Sequence, residues 1–267
     1  VALGGDGGDE LFAGYPTFLA ENYAKQYRRV PSILRKVLLE PAAKLLPVND
    51  DNISLDFKIK QFIKGASHED FSRHMLWMGS FAPHELNQLL IERSYAEVYD
   101  DLYRHMKKAR GLSTGNALLY IYAKLYLQDD ILTKVDRASM AASLECRAPF
   151  LDHDFVEYIT RLPYRYKLNG NTMKYLLKKA YENELPKGIA HRAKKGFGIP
   201  VAKWIKEPLK EMVQDIFSER KLAAQGLFNP KVIGKLLDDH FAGKVDNRKK
   251  LWTLLIFQKW YDRWGVN

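Results

Sequence analysis

The chain has 267 residues and a formal net charge of +10, with 46% hydrophobic and 12% aromatic residues. This composition supports a large buried core, and no apolar run reaches the ~18 residues that a membrane-spanning helix needs. Cys146 is the only cysteine, which excludes an internal disulfide and any multi-cysteine metal site. Since the first residues also carry no basic-then-apolar leader, a reducing, cytoplasmic setting is the simplest expectation.

The most informative segment follows the short apolar run Val1 to Leu3 and reads GGDGGDE at residues 4 to 10. Glycines leave the backbone open to a ligand and allow positive φ, so consecutive amides can surround an anion. The carboxylates of Asp6, Asp9 and Glu10 would repel a bare phosphate, but they suit a Mg²⁺ ion placed between carboxylate and phosphate. The segment therefore predicts a magnesium-nucleotide site, and a tight acidic turn is the alternative.

Most of the remaining chain is predicted to be helical, with one mostly helical domain as the expected organisation. In the longest segment, Leu127, Ile131, Val135 and Ala138 form one apolar stripe at helical spacing. Strand evidence is limited to the first three residues. The predicted helices cover residues 31–46, 56–64, 71–78, 86–91, 95–108, 116–144, 152–160, 172–185, a segment from Val201, a segment from the Asn229-Pro230 cap, and 247–264.

Several charged groups could line a binding site. Asp130, Lys134 and Arg137 lie at i, i+4 and i+7 of the long helix, with Asp136 beside them. This spacing puts the three on one face, as a pocket wall or as a surface salt-bridge ladder. The other basic residues occur in small scattered groups, which favours solvated helix faces over a nucleic-acid surface.

Two further features suit a polyanion. Lys174 is expected in the first turn of the helix that Thr172 caps, where a bound phosphate would relieve an unfavourable contact between the cation and the helix dipole. The basic loop from Arg192 to Phe197 can close over a ligand, or it is an ordinary solvent loop. Arg147 is expected to be a buried structural clamp against Glu145 or Asp152.

Four segments, taken in this order, resemble the synthetase domain of glutamine-hydrolysing asparagine synthetases. The resemblance implies the helical carboxy-terminal part of an adenine-nucleotide α-hydrolase-like α/β domain, truncated at its N-terminal side. On this interpretation residues 1–267 are a partial, mostly α synthetase domain that lacks the Ser-Gly-Gly-x-Asp-Ser pyrophosphate loop and the glutaminase domain. The matching segments are GGDGGDELFAGY (4–15), DRASMAASLECRAPFLD (136–152), MKYLLK (173–178) and RAKKGFGIP (192–200).

The resemblance also implies the chemistry and the cofactors, ATP and Mg²⁺. An acceptor carboxylate, that of aspartate, attacks the α-phosphorus of MgATP to give an acyl-adenylate and pyrophosphate, and glutamine-derived ammonia then displaces AMP. Relatives that amidate a polysaccharide or peptide carboxylate are the alternative within this class. A non-catalytic basic helical binding module is the alternative outside it. We expect no nucleic-acid or membrane partner, and a homodimer is one possible assembly.

The roles of individual residues follow from the resemblance alone. Asp9 would be a Mg²⁺ ligand, and Lys174 would stabilise the pyrophosphate and the adenylate transition state. Asp6 stands near the acceptor and the amine, where many asparagine synthetases carry Glu. The remaining site residues are Gly4 and Gly5 at the nucleotide, Lys134 and Asp136 in the acceptor and phosphate wall, and Arg192 and Lys194 in the closing loop. The chain by itself is expected not to convert ATP to AMP.

Overall fold

The computed structural model describes residues 1–49, 54–92, 99–186, 188–190, 192 and 198–265. Contacts divide the chain into two compact units, each made of two stretches of sequence. Unit 1 comprises Val1–Tyr23 and Ala96–Lys194, and unit 2 comprises Ala24–Tyr95 and Lys195–Asn267. Both units are mostly helical, as predicted. Among the described residues, no helix is long and apolar enough to cross a bilayer.

Unit 1 combines helices with two small two-stranded sheets. Its first sheet pairs β1 with β2 in parallel, and its second pairs β3 with β4 in antiparallel orientation. Unit 1 also contains two short 3₁₀ turns, Pro149–Leu151 and Tyr164–Tyr166. The elements in chain order are β1 (Ala2–Leu3), α1 (Gly8–Leu11), α2 (Pro16–Tyr27, in which the unit boundary falls), α8 (Asp100–Lys108), α9 (Thr114–Tyr122), a π-helical segment (Ala123–Leu132), α10 (Thr133–Met140), β2 (Cys146–Arg147), α11 (His153–Arg161), β3 (Leu168–Asn169), β4 (Thr172–Met173) and α12 (Tyr175–Ala180).

Unit 2 is built almost entirely of helices. Its core is a cluster of buried aliphatic and aromatic side chains, including Ile205, Ile233 and Leu251, each 0% exposed. The elements are α3 (Ser32–Leu34), a π-helical segment (Arg35–Leu39), α4 (Glu40–Lys44), α5 (Leu55–Ala66), α6 (Asp70–Met78), α7 (Pro83–Leu89), α13 (Val201–Lys206), α14 (Lys210–Ile216), α15 (Glu219–Gln225), α16 (Pro230–Phe241) and α17 (Arg248–Trp264).

Helix boundaries set by side-chain caps were predicted best. The Asp152 carboxylate accepts the amide hydrogen of Phe155 at 3.1 Å and begins α11. The Asn229 side chain accepts that of Lys231 at 3.1 Å, and Pro230 is the first residue of α16. Both caps are local in sequence, so they form without help from distant residues.

The predicted start of a helix at Thr172 is wrong. Thr172 and Met173 form β4, which pairs with β3 across a turn at Gly170 and Asn171, and α12 begins at Tyr175. The predicted helix over 116–144 is nearly right, because residues 114–140 are continuously helical. Its central part, Ala123–Leu132, is a π-helix, a wider form that the apolar stripe did not reveal.

Candidate active site

The glycine-rich segment begins where two parallel strands end. Ala2 pairs with Cys146 and Leu3 with Arg147. The Gly4 amide then donates to the Arg147 carbonyl oxygen at 2.7 Å, which extends the pairing by one residue. Ligands of α/β sheets bind beyond the carboxyl ends of parallel strands, so this segment starts where a ligand is expected.

Gly7 makes the turn that brings the acidic residues into place. Its φ is 85°, in the left-handed region, and a Cβ atom at this position would overlap the Leu151 side chain. A non-glycine residue is therefore excluded both by strain and by space. The turn leads directly into α1, which carries Asp9 and Glu10 in its first turn.

Asp9 and Lys174 form an ion pair across the site. The Lys174 Nζ lies 2.8 Å from Asp9 Oδ1, and the two side chains are 28% and 21% exposed. A pair at this depth remains accessible to a ligand while water screens it only in part. Gly14 lies against both partners, because a Cβ atom there would overlap Asp9 Oδ1 and Lys174 Cε.

The backbone around Lys174 is held in an uncommon conformation. Lys174 has a φ of 54° and precedes α12, and its amide donates to the Phe12 carbonyl oxygen at 3.0 Å. Left-handed geometry is rare for a side-chain-bearing residue and is kept only where the surroundings enforce it. The bond to Phe12 ties Lys174 to the same segment that carries Asp9.

Glu10 is a buried carboxyl next to this pair, with 2% of its surface exposed. Burial raises the pKa of Glu10, and a hydrogen bond donated by the Tyr15 hydroxyl opposes that rise. The Tyr15 pKa is raised by burial and by Glu10. The Tyr15 ring packs against Phe18, Tyr122 and Tyr126, with centroid distances of 6.4, 5.8 and 5.5 Å. The buried Glu10 carboxyl and its hydrogen bond to Tyr15 thus stabilise the start of α1, next to the ion pair.

A cavity of about 580 Å³ opens beside the ion pair. Three cations line it, namely Lys174, Lys178 and Arg192. The remaining wall is largely apolar and includes Phe150, Met173, Leu177, Tyr181, Leu185 and Ile189. The described lining contains no acidic side chain, so it suits an anionic group joined to an apolar body.

The structure brings only some of the predicted site residues together. Asp9, Lys174 and Arg192 meet at or beside the cavity. Gly4 and Asp6 lie close together in the loop, since a Cβ on Gly4 would approach Asp6 Oδ2 to 2.8 Å, and Gly5 faces open space. Lys194 lies outside the described residues.

Lys134 and Asp136 are both exposed on α10 and are absent from the described lining of the cavity. Within the described part of the chain, no ion pair joins the predicted ladder of Asp130, Lys134 and Arg137. Arg147 does pair with Glu145, Nε to Oε1 at 2.7 Å, but the two side chains are 66% and 54% exposed. The expected buried clamp is therefore wrong, and this pair contributes little to stability.

Sequence reasoning missed the support that Lys167 gives to the site. This buried lysine donates from Nζ to Asn116 Oδ1 at 3.1 Å, and burial lowers its pKa to about 8. Its carbonyl oxygen accepts the amide hydrogen of Tyr175, the residue after Lys174. No local sequence pattern distinguishes a buried lysine such as Lys167 from a surface one. The close packing at Gly14 could have been suspected from the sequence, because Gly14 is part of the motif GGDGGDELFAGY.

One further cluster of possible metal ligands occurs among the described residues. Asp152, His153 and Asp154 could bring one ligand atom each within 4.8 Å of one another. All three side chains are exposed, and Asp152 already caps α11. This cluster is explained by its position at a helix start.

Comparisons with known proteins identify the family of this chain. The family model Asparagine synthase matches residues 1–262. The chain is 33% identical to asparagine synthetase [glutamine-hydrolyzing] 1 of Bacillus subtilis, over 98% of this chain and 40% of that protein. It is 25% identical to asparagine synthetase [glutamine-hydrolyzing] 3 of the same species, over 89% of this chain and 33% of that protein.

A more distant relative is the amidase chyE of Penicillium rubens, which is 24% identical over 85% of this chain and 36% of that protein. No solved structure matches the chain. The chain spans about 40% of the length of the first of these relatives. Because the family model covers almost every residue, the predicted resemblance is confirmed, and this chain belongs to the asparagine synthase family.

Proposed function

We propose that this chain forms one wall of the active site of an ATP-dependent amide-forming ligase. The observation that carries the proposal is the Asp9–Lys174 pair, 2.8 Å long, beyond the carboxyl end of β1. The proposed fold is the helical carboxy-terminal part of an adenine-nucleotide α-hydrolase-like domain. Parallel pairing of β1 with β2 supports it, because parallel sheets occur mainly in α/β domains with both faces covered.

The donor set fits a magnesium ion that is shared with a nucleotide. Mg²⁺ is usually held by one or two carboxylates together with substrate phosphates, and Asp9 offers such a carboxylate. Glu10 is 2% exposed and holds the Tyr15 hydroxyl, whereas the Asp9 side chain is 21% exposed at the cavity, so Asp9 is the better ligand. When bound, MgATP supplies the phosphorus that activates the acceptor carboxylate. Gly4 and Gly5 leave the backbone open for the nucleotide to approach.

Lys174 has the position to stabilise charge on the pyrophosphate leaving group. A cation fixed by its own backbone bond to Phe12 needs little reorganisation as that charge develops. Lys178 and Arg192 line the same cavity and add two further cations. Asp6, half-buried in the loop, is proposed to take the proton that ammonia loses when its nitrogen bonds to the acyl carbon and AMP departs.

Aspartate is the first acceptor to test, with glutamine as the ammonia source, because both Bacillus subtilis relatives are named glutamine-hydrolysing asparagine synthetases. The apolar wall of the cavity favours a second candidate, an amidotransferase for a larger carboxylate. A larger acceptor would place its apolar body against Leu177 and Tyr181. Acceptor choice depends on a few such pocket contacts.

The deciding experiment is ATP–pyrophosphate exchange by the full-length protein with each acceptor. We expect Lys174→Ala to lower exchange by roughly 10²–10³-fold, the usual cost of removing one preorganised charge donor. Lys179→Ala is the matched control, since Lys179 lies on α12, the helix that Lys174 precedes, and is exposed and pairs with Glu182 at 2.9 Å. Exchange that survives Lys174→Ala at the control rate rules out the proposed role.

Asp9→Asn tests the metal assignment separately. The amide keeps the shape of the side chain but loses its charge, so we expect a higher Mg²⁺ concentration for half-maximal exchange. A variant with the wild-type Mg²⁺ dependence removes Asp9 from the metal site. In that case Asp9 would serve only to orient Lys174.

A further inference from the structure

Unit 2 contains a helical segment, Ser32 to Lys44, that buries almost none of its side chains. It consists of α3, the π-helical residues Arg35–Leu39 and α4, and only Ala43 is buried. Exposed apolar surface of this extent on one helix usually marks an interaction site. Four aliphatic side chains of the segment, together with Leu45 directly after it, form what we call the aliphatic face: Ile33 (73% exposed), Leu34 (51%), Val37 (71%), Leu38 (61%) and Leu45 (84%).

The opposite side of the segment fixes this orientation. Arg35 donates to Ser67 Oγ at 2.9 Å, and its guanidinium lies over the Tyr27 ring, 5.2 Å from the centroid. Leu39 and Ala43 border an apolar cavity together with Phe62 and its neighbours on α5. Since these contacts hold the segment to unit 2, the aliphatic face points outward as a feature of the fold.

Positive charge is concentrated around the aliphatic face. Residues 25–46 contain six basic residues and one acidic residue, a net +5, whereas the whole chain carries +10. Half of the net charge therefore lies in this short stretch. The exposed cations are Lys25, Arg28, Arg29, Lys36 and Lys44. The single acid, Glu40, is half-buried and accepts a hydrogen bond from the Tyr27 hydroxyl at 3.4 Å.

We propose that this surface docks on an anionic lipid bilayer. Helices that lie in a membrane interface place aliphatic side chains at the boundary of the acyl chains and cations at the headgroups. The aliphatic face and the surrounding cations match those two layers, and each cation near an anionic leaflet adds attraction. An apolar protein partner would explain the exposed aliphatic side chains but not the positive charge around them, which is why we favour a lipid surface. The proposal departs from our expectation of no membrane partner and is independent of the chemistry in unit 1.

The test is co-sedimentation of the full-length protein with extruded vesicles of phosphatidylglycerol and phosphatidylcholine, and with vesicles of phosphatidylcholine alone. Wild type is expected to sediment with the anionic vesicles and to be released by high salt. The double variant Val37→Asp with Leu38→Asp should lower the partition coefficient from water to the anionic vesicles by about tenfold or more. It places two negative charges on the part of the surface that is proposed to contact the acyl chains. Ile256→Asp is the matched control, an aliphatic residue that is 52% exposed on α17.

The cations are tested in the same assay. Lys36→Glu with Lys44→Glu should weaken binding to anionic vesicles and leave the small amount bound to phosphatidylcholine unchanged. Lys259→Glu, an exposed charge reversal on α17, controls for net charge. Circular dichroism of each variant checks the fold, which we expect to stay intact because all the substitutions are at exposed positions.

Three outcomes overturn the proposal. Wild-type protein that stays in solution with anionic vesicles shows that the face does not dock on lipid. Equal binding to both kinds of vesicle removes the role of the cations. Dissociation of a dimer by Val37→Asp with Leu38→Asp, seen by sedimentation velocity without lipid, assigns the face to a second copy of the chain. Pyrophosphate exchange is read separately, so failure of the proposed ligase activity would not be mistaken for any of these.

Discussion

Lysine side chains are partly withdrawn from water in both units, but they meet different partners. In unit 1, Lys174 faces the carboxylate of Asp9 at 2.8 Å. In unit 2, Lys249 donates to the carbonyl oxygens of Trp77 and Met78 at 3.2 and 2.6 Å, and its pKa is lowered to about 8 by burial and by Lys64. A cation paired with a carboxylate at a cavity can exchange that partner for a phosphate. A cation bonded only to backbone carbonyls holds helices together.

Lys167 shows that the distinction lies in the partner and not in the unit. It belongs to unit 1, yet its Nζ bonds a neutral amide oxygen of Asn116 and its pKa falls to about 8 through burial. Burial penalises the charged form of a lysine, and only a charged or strongly polar partner offsets that penalty. We therefore expect substitutions at Lys174 to change catalysis, and substitutions at Lys167 or Lys249 to change stability.

Among substitutions outside the ion pair itself, the largest effect is expected from Gly14→Ala. The added methyl group would overlap Asp9 Oδ1 and Lys174 Cε, so one of the two charged groups must move. A displacement of about 1 Å in an active site can cost about 10²-fold, so a fall of that order in kcat/KM is expected. Steady-state kinetics of the full-length protein, with a thermal melt alongside, provide the measurement.

Gly234→Ala is the matched control for that variant. Gly234 lies inside α16, and a Cβ there would meet no atom within 4 Å. Alanine in a helix interior is favoured over glycine by about 1 kcal/mol, so this variant should be slightly more stable with unchanged kinetics. If Gly14→Ala and Gly234→Ala behave alike, the packing of Gly14 against the ion pair has no functional consequence.

A smaller effect, on stability, is expected from Lys249→Met. The Lys249 pKa is about 8 in the fold and about 10.4 when unfolded, so the unfolded state binds more protons between these values. The free energy of unfolding of wild type should therefore rise from pH 8 to pH 10.5, by about 2–3 kcal/mol from this group. Lys249→Met lacks this contribution. The free energy of unfolding of wild type should therefore increase relative to that of the variant between pH 8 and pH 10.5.

Urea denaturation followed by tryptophan fluorescence measures this difference. All five tryptophans of the chain belong to unit 2, so the signal reports on that unit. Lys259→Met, at an exposed position on α17, is the control and should follow wild type across the pH range. Parallel pH profiles for wild type and Lys249→Met would mean that Lys249 is not destabilised by burial.

The sequence predicted best those features whose determinants are neighbours in the chain. The Asp152 and Asn229 caps and the glycine turn are such cases, because a side chain or a φ value decides each of them locally. The hairpin of β3 and β4 was missed because strands of two residues are too short to show an alternating pattern. The π-helical segment Ala123–Leu132 was missed because the heptad-like stripe fits an α-helix as well.

For the candidate site, the sequence supplied the residues but not their arrangement. The contact between Asp9 and Lys174 depends on the Phe12–Lys174 backbone bond and on the space at Gly14, both of which are tertiary features. The resemblance to the family placed Lys134 and Asp136 in the same wall. Their exposure on α10 gives no independent support, so their roles stay predictions.

The smallest effect is expected from Tyr15→Phe, which probes the stabilisation of the start of α1, next to the ion pair. This variant removes the hydrogen bond to the buried Glu10 carboxyl and leaves that group without the donor, at a cost of about 1–3 kcal/mol. Tyr122→Phe is the matched control from the same aromatic cluster, since its hydroxyl donates to Thr17 Oγ1 at 2.8 Å, and about 0.5–1.5 kcal/mol is expected for a neutral partner. Thermal melts with tyrosine absorbance give the ranking, and a Tyr122→Phe loss equal to that of Tyr15→Phe would show that Glu10 is stabilised by other contacts.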